Sequence, residues 1–412
     1  MATSASMVLM GYEFLRSTSN SLFKSVYGAE GLPLVMALLP VALIPTLAGY
    51  NRLLVRMGAK NTLLSCLVGS GVGIFLCYLG IRAGMGWATG ALCLIRDVYV
   101  VLLIEQHWSF INSILKQGEA KRFNGLVMTI ASVGGIAGGA LLHLLAERLG
   151  TLSLVLAPAL LVVPSLWIVG TCYRRCGHEI GEPMVREHHG SLWKAMQQLF
   201  RTNAVLPALF LMVILSQAYS TMIDLGFQGC LLQAYPDIDR QSSVSGLFYS
   251  LSNGLSLVLQ LLVTPWLLTR FSPTRIHLYI PALHIGLIAW CVFMPGIWSL
   301  GTALLVYKGV DYSLFRGAKE VLYVPLSFAV RYQAKECIDI LGYRGSKSGF
   351  STLIFLARVV GLGSMSPFLF SCFGVMALGG WFQAAIRLNR SKEGVGETAY
   401  GPEGTQLVPQ KV

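Results

Sequence analysis

Apolar stretches long enough to cross a hydrocarbon core recur along the whole chain. They lie near 33–50, 62–81, 86–112, 124–146, 151–172, 204–224, 244–268, 277–296, 300–326, 349–366 and 367–387. A spanning helix needs about 20 such residues. A twelfth stretch, 6–23 (SMVLMGYEFLRSTSNSLF), is weaker because Glu13 and Arg16 interrupt it. None of these runs alternates in the manner of barrel strands, so the bilayer's demand for internally satisfied backbone leaves a helical bundle. Only 12% of residues are charged, against about 25% in a soluble domain. That is too few to cover a water-facing surface. The expected fold is all-α and polytopic, with about twelve transmembrane helices, the first one weak.

The net charge of +12 would suit a nucleic-acid binder, but its distribution argues against one. With twelve helices and both termini inside, the inner segments hold 21 of the 31 Lys and Arg, including Arg52, Arg56, Lys60, Arg174 and Arg175. The outer loops hold four, assigned as Lys24, Arg82, Arg148 and Arg240, and six lie within helices. An excess of cations that alternates loop by loop is the positive-inside pattern. It places both termini in the cytoplasm. The first residues carry no basic cluster followed by a cleavage pattern, so no removable signal peptide is expected. The nine cysteines are scattered without framework spacing, which fits a cytoplasmic membrane.

The longest polar connection, about 174–203, is basic and falls near the middle of the chain. It divides the sequence into an N-terminal six-helix half (1–173) and a C-terminal six-helix half (204–388), as in two-half transporters. A faint echo between LLVRMGAK (53–60) and LLTRFSPTR (267–275) agrees with this. GSGVG (69–73) and GGIAGG (134–139) mark close helix packing. The tail from 389 to 412 is polar and glycine-rich, and disorder is expected there.

The chemistry is concentrated in charges inside apolar helices. On insertion scales each costs roughly 2.5–3.5 kcal/mol at a helix centre, so each must face a cavity or a partner. The tenth run contains Lys308, Asp311, Arg316, Lys319 and Glu320. A period of 3.6 puts Lys308, Asp311, Tyr312, Phe315 and Lys319 on one face, with Arg316 at its edge. Such cations suit a polyanion in a low-dielectric site. The plainer reading is mutual neutralisation, Lys308 with Asp311 and Arg316 with Glu320. Helix four holds Arg96, Asp97 and Glu105, with Arg96 directed away from the two acids. Helix one pairs Glu13 with Arg16. Helix seven carries Gln217, Asp224 and Gln228 on one side. Arg358 is alone in helix eleven, either snorkelling to the inner interface or meeting substrate. Intramembrane cations and anions are equal in number, so an anion site, a zwitterion site and a proton-coupled carboxylate all stay open. GYRGSKSG (342–349) lacks phosphate-loop spacing and a preceding strand. Cys172, Cys176, His178, His188 and His189 match no zinc spacing. No cofactor, metal or catalytic constellation is expected.

Three blocks resemble the nucleotide (ATP/ADP) translocases of intracellular bacteria and plastids. They are LRSTSNSLFKSVYGAEGLPL (15–34), HWSFINSILKQGEAKRF (107–123), and YSLFRGAKEVLYVPL (312–326) followed by DILGYRGSKSG (339–349). The family pattern reads LR-x-T-K-D, then EAKRFY, then YSLFDP-x-KEMAYIPL, in the same order and spacing. The resemblance implies a twelve-helix antiporter related in architecture to the major facilitator superfamily, which exchanges nucleotides without hydrolysing them. The bacterial inner membrane is the implied location. Lys319, Glu320 and Arg16 match the family pattern directly. The chain departs from it at Ser19-Asn20 (Lys-Asp in the family), at Arg316-Gly317 (Asp-Pro) and at Arg96 (glutamate). The family's first helix also has apolar residues ahead of this point, so a start trimmed to an internal Met is one expectation.

The reading is therefore a membrane transporter with a nucleotide as its small-molecule partner. Lys319 and Lys308, helped by Arg316 and Arg16, are the phosphate-gripping candidates. Glu320 and Asp311 are their partners in the empty site, and Tyr312 or Phe315 is a base- or ribose-stacking candidate. Arg96, Asp97, Glu105, Asp224, Glu13 and Arg358 remain as coupling or structural charges. The alternatives are an ion-coupled facilitator for another organic anion, and a non-transporting receptor.

Overall fold

The computed structural model describes residues 1–115, 117–176, 200, 205–324, 334–335, 338–361 and 367–399. Among them there is no strand. The helices in chain order are α1 (Ala2–Tyr27), α2 (Leu32–Arg82), α3 (Trp87–Ile114), α4 (Gln117–Leu149), the short α5 (Thr151–Leu154), α6 (Ala157–Arg175) and α7 (Val205–Ala234). There follow α8 (Ile238–Val258), α9 (Thr264–Arg270), α10 (Pro273–Phe293), α11 (Ile297–Val310), α12 (Arg316–Tyr323), α13 (Ser346–Val359) and α14 (Pro367–Ala399). π-helical turns link α8 to α9, link α11 to α12, and lead into α13 at Leu259–Val263, Asp311–Phe315 and Ile338–Gly345.

Eight helices among the described residues are long and apolar enough to cross a membrane. One of them, α2, has 51 residues, about 77 Å at 1.5 Å per residue, which is two crossings of a core ~30 Å thick. The break falls at Gly58 (φ 72°, ψ 168°), a backbone region open to glycine and strained for other residues. With α1, the α11–α12 rod and the rod ending in α13, twelve helical crossings follow among the described residues. The chain is a multi-pass helical membrane protein.

Contacts gather the chain into two compact units. One comprises Met1–Glu187, Phe227–Leu257 and Ser351–Ser364; the other comprises His188–Gly226, Val258–Phe350 and Met365–Val412. The first unit thus holds two segments that lie beyond the middle of the sequence. The connection expected at 174–203 lies mostly outside the described residues, as do His178, His188 and His189. α14 continues helical to Ala399, and the rest of the expected disordered tail is also outside them. GYRGSKSG is helical, the end of a π turn followed by the start of α13.

The first helix was weak by hydropathy, yet α1 has 26 helical residues, about 39 Å. It packs against α3, α4 and α6, and every residue from Ser17 to Lys24 is buried. A helix wrapped on all sides by protein has no lipid face to grease, so its serines and charges are tolerated. Its closest neighbour is the glycine-rich part of α4. A Cβ at Gly134 would overlap the Ser6 carbonyl, and one at Gly138 would lie 2.6 Å from the Met10 carbonyl oxygen. At Gly139 it would stand 2.6 Å from the Gly246 carbonyl oxygen of α8. These neighbours are backbone atoms, which cannot rotate away. Gly134→Ala is expected to cost about 1–3 kcal/mol or more through overpacking. The yield of folded protein in detergent should fall sharply, whereas Gly69→Ala, with open space around its Cβ, should not change it.

Candidate functional site

In the first unit the polar side chains of α1 form a connected system. Arg16 lies 3.6 Å from Glu13, and its guanidinium sits 3.5 Å from the centroid of the Tyr249 ring of α8. Glu13 Oε1 accepts a 2.9 Å hydrogen bond from Asn253 Nδ2, while its buried Oε2 has no hydrogen-bond partner. At the other end of α1, Lys24 Nζ donates to Gln228 Oε1 at 2.8 Å. Gln228 Nε2 in turn donates to the Tyr249 hydroxyl at 3.2 Å. Lys24 is 2% exposed, which corrects its assignment to an outer loop. The apolar run stops at Phe23, but the helix does not. Lys24 belongs with the buried helix cations, so three of the four residues assigned to outer loops keep that assignment.

Arg96 of α3 is also placed differently from expectation. It does not point away from its neighbour. Its Nη2 donates to Asp97 Oδ2 at 2.8 Å and its Nε to Oδ1 at 3.2 Å. Its Nη1 donates to Asn20 Oδ1 at 2.7 Å and to Ser19 Oγ at 3.2 Å. Such bidentate, charge-assisted geometry is the strong kind. Glu105 is exposed while Asp97 is half-buried, so the two acids of α3 do not share an environment. Arg358 is not alone. Its Nη2 lies 2.7 Å from Glu30 Oε2, in the turn between α1 and α2, one crossing away from Ala2 at the start of α1.

In the second unit Lys308, Asp311, Phe315 and Lys319 are buried, Tyr312 is half-buried, and Arg316 and Glu320 are exposed. The expected pairings do not form. Arg316 Nη2 instead lies 3.6 Å from Asp311 Oδ2, and Glu320 pairs with Lys335. The cause is the π turn at Asp311–Phe315. Its wider pitch brings i and i+5 together where an α-helix would align i with i+4. Asp311 Oδ1 remains buried without a hydrogen-bond partner.

Tyrosine rings surround these cations. Lys308 Nζ is 5.9 Å from the ring centroids of both Tyr307 and Tyr312. Arg316 lies 4.7 Å from Tyr312 and 5.3 Å from Tyr343. Lys319 is 4.6 Å from Tyr343 and 6.0 Å from Tyr323. Such contacts attract a cation to the negative face of the ring. Phe315 is fully buried, in edge contact with Trp381 and His277. It packs within the unit and does not present a face for stacking; Tyr312 is the more open ring. Asp224 is buried in α7, and Gln217 donates to the Tyr307 hydroxyl at 3.1 Å. Sequence reasoning passed over Tyr343, His277 and His284. The histidines are fully buried two turns apart on α10, and none of their ring nitrogens has a hydrogen-bond partner.

Buried cations on helices long and apolar enough to cross a membrane are the main chemistry of both units. The structure of the nucleoside transporter NupG superposes with TM-score 0.66 at 15% identity, covering 95% of this chain and 98% of that one. The inward-open xylose transporter XylE from E. coli gives 0.61 at 13%, covering 95% and 98%. These likenesses show the fold of major facilitator transporters.

Residues 279–391 match the family described as TLC ATP/ADP transporter. ADP,ATP carrier protein 1 of Chlamydia pneumoniae is 24% identical over 74% of this chain and 67% of its own length. The Chlamydia muridarum protein of that name is 25% identical over 86% and 73%. These matches make the chain similar to the ATP/ADP translocases at low identity and support reading it as a membrane transporter.

Proposed function

We propose that this protein exchanges nucleotides across the bacterial inner membrane by alternating access, with both termini cytoplasmic and two six-helix halves. The observation that carries the reading is the group of Lys308, Arg316 and Lys319 among the rings of Tyr312, Tyr343 and Tyr323. It lies within the stretch that matches the translocase family. Lys319 and Lys308 grip phosphate oxygens, with Arg316 leaving Asp311 to join them. Tyr312 stacks on the base or ribose. Glu320, paired with Lys335, stands outside the phosphate contacts.

In the first unit Arg16 and Lys24 are the candidate phosphate ligands. Arg96 takes over a role as well. The family pattern puts a lysine where this chain has Ser19, and here the Arg96 guanidinium reaches that position from α3. A positive charge is thereby kept beside α1 although its carrier helix has changed. Glu13 and Asp97 orient these cations. Asp224 and the Glu30–Arg358 pair serve the conformational cycle.

A substrate that binds only the folded protein raises its stability, by about 2.7 kcal/mol at a hundredfold excess over Kd. Purified protein is expected to melt at a higher temperature with ATP or ADP than with adenosine, since the phosphates supply the contacts. Equal shifts with all three, or none, would remove the phosphate-recognition reading. The buried unpartnered His277 and His284 support a second reading, coupling to protons in place of counter-nucleotide. Uptake driven by a proton gradient with no internal nucleotide would favour it.

A further inference from the structure

A cavity of about 540 Å³ lies wholly within the first unit. Its walls come from the two arms of α2 around Gly58, from the later part of α3 and from the end of α6. Gly58 is the bend between two crossings, and Arg174 lies in the last turn of α6. The cavity therefore lies at the membrane boundary and not at its midplane. Lys60 and Arg174 are the charged residues of its lining. No carboxylate among the described residues pairs with either cation. The guanidinium of Arg174 makes only long hydrogen bonds, 3.3 Å to the Gly170 carbonyl oxygen and 3.5 Å to Thr171 Oγ1. Glu105 is the nearest acid in sequence on α3, and it is exposed and outside the lining.

The floor of the cavity holds an unusual group. Gln106 is 6% exposed; its amide faces the Cys66 thiol, and its amide oxygen has no hydrogen-bond partner. A buried polar atom left unpaired costs roughly 1–3 kcal/mol, so this is a place where a headgroup hydroxyl is wanted. Tyr50 adds a phenol, and Phe110, packed 4.5 Å from Tyr173, adds an apolar wall. Met57 also lines the space and is 43% exposed, beside the exposed Leu53 and Val55. The cavity thus joins cations and an unpaired amide oxygen to an apolar flank, at the depth of lipid headgroups.

We propose that this cavity binds the phosphate headgroup of an anionic lipid, with an acyl chain along the Met57 side. Basic pockets between helices at this depth suit such headgroups. A free phosphate compound shares the headgroup's chemistry but has no use for the apolar flank.

The test is native mass spectrometry of the full chain in detergent, titrated with phosphatidylglycerol, phosphatidylcholine or inorganic phosphate. The proposal predicts phosphatidylglycerol adducts at a concentration at least tenfold below that for phosphatidylcholine, a difference expected of two charge-assisted contacts. Lys60→Gln with Arg174→Gln should erase that preference. Lys60 is half-buried, Arg174 is exposed and neither pairs with a carboxylate among the described residues, so folding should survive. Gln106→Leu should weaken the adduct several-fold. Equal binding of the two lipids, or an unchanged preference in the double variant, would overturn the proposal. Displacement of phosphatidylglycerol by inorganic phosphate would also overturn it, and would give the cavity to a soluble phosphate compound.

Discussion

Lys319→Ala is expected to lower nucleotide uptake by about a hundredfold or more while the protein still inserts in the membrane. Lys319 is buried, lies 4.6 Å from the Tyr343 ring, and stands in the stretch that matches the translocase family. An ammonium that meets a phosphate in a site shielded from water is worth about 2–5 kcal/mol when truncated. Uptake at low substrate should fall by about a hundredfold or more at the middle of that range. The cost to folding is smaller, because a cation–π contact contributes only about 0.5–2 kcal/mol and the variant no longer has to desolvate a charge. Lys319→Arg keeps the charge and should retain part of the activity. Normal uptake by well-inserted Lys319→Ala protein would remove this residue from the site.

The second large effect is expected at Arg96, and there it falls on stability as well as transport. Its guanidinium donates four hydrogen bonds, two to Asp97 and one each to Ser19 and Asn20. Removing one member of a buried pair leaves its partner's charge uncompensated and costs about 3–5 kcal/mol. Arg96→Ala should therefore lower the melting temperature strongly. Asp97→Asn combined with Arg96→Ala should recover much of that loss, since no charge is then left behind. Arg96→Lys cannot reproduce the fork and should fall between the two. If the double variant is no more stable than Arg96→Ala, the pair is not the reason for the instability.

Much of the architecture was legible in the sequence. Runs of apolar residues near bilayer length give the crossings directly, because lipid permits few other backbone solutions. The exception was α1. Its polarity reads as weakness on a hydropathy scale, yet it follows from burial among protein neighbours, and the same misreading sent Lys24 to a loop. The block at 312–326 carries the resemblance to the family pattern, and Lys319 and Lys308 are buried there as the helical period implied. Their partners were not legible. The period assumed an unbroken α-helix, and the π turn at Asp311–Phe315 re-registers Arg316 onto Asp311. Contacts such as Arg96 with Asn20, or Arg358 with Glu30, join residues far apart in the chain, and no local pattern announces them. Ser19, Asn20 and Arg96 appeared in the sequence as separate departures from the family pattern. In the folded protein they form one contact.

The central claim is nucleotide exchange, and counter-exchange in proteoliposomes tests it most directly. Vesicles containing the purified chain would be loaded with ADP and given labelled external ATP, without a proton gradient. The account predicts saturable uptake that requires internal ADP, with release of label when ADP is then added outside. Label accumulating in empty vesicles under a proton gradient, with no response to ADP on either side, would contradict it.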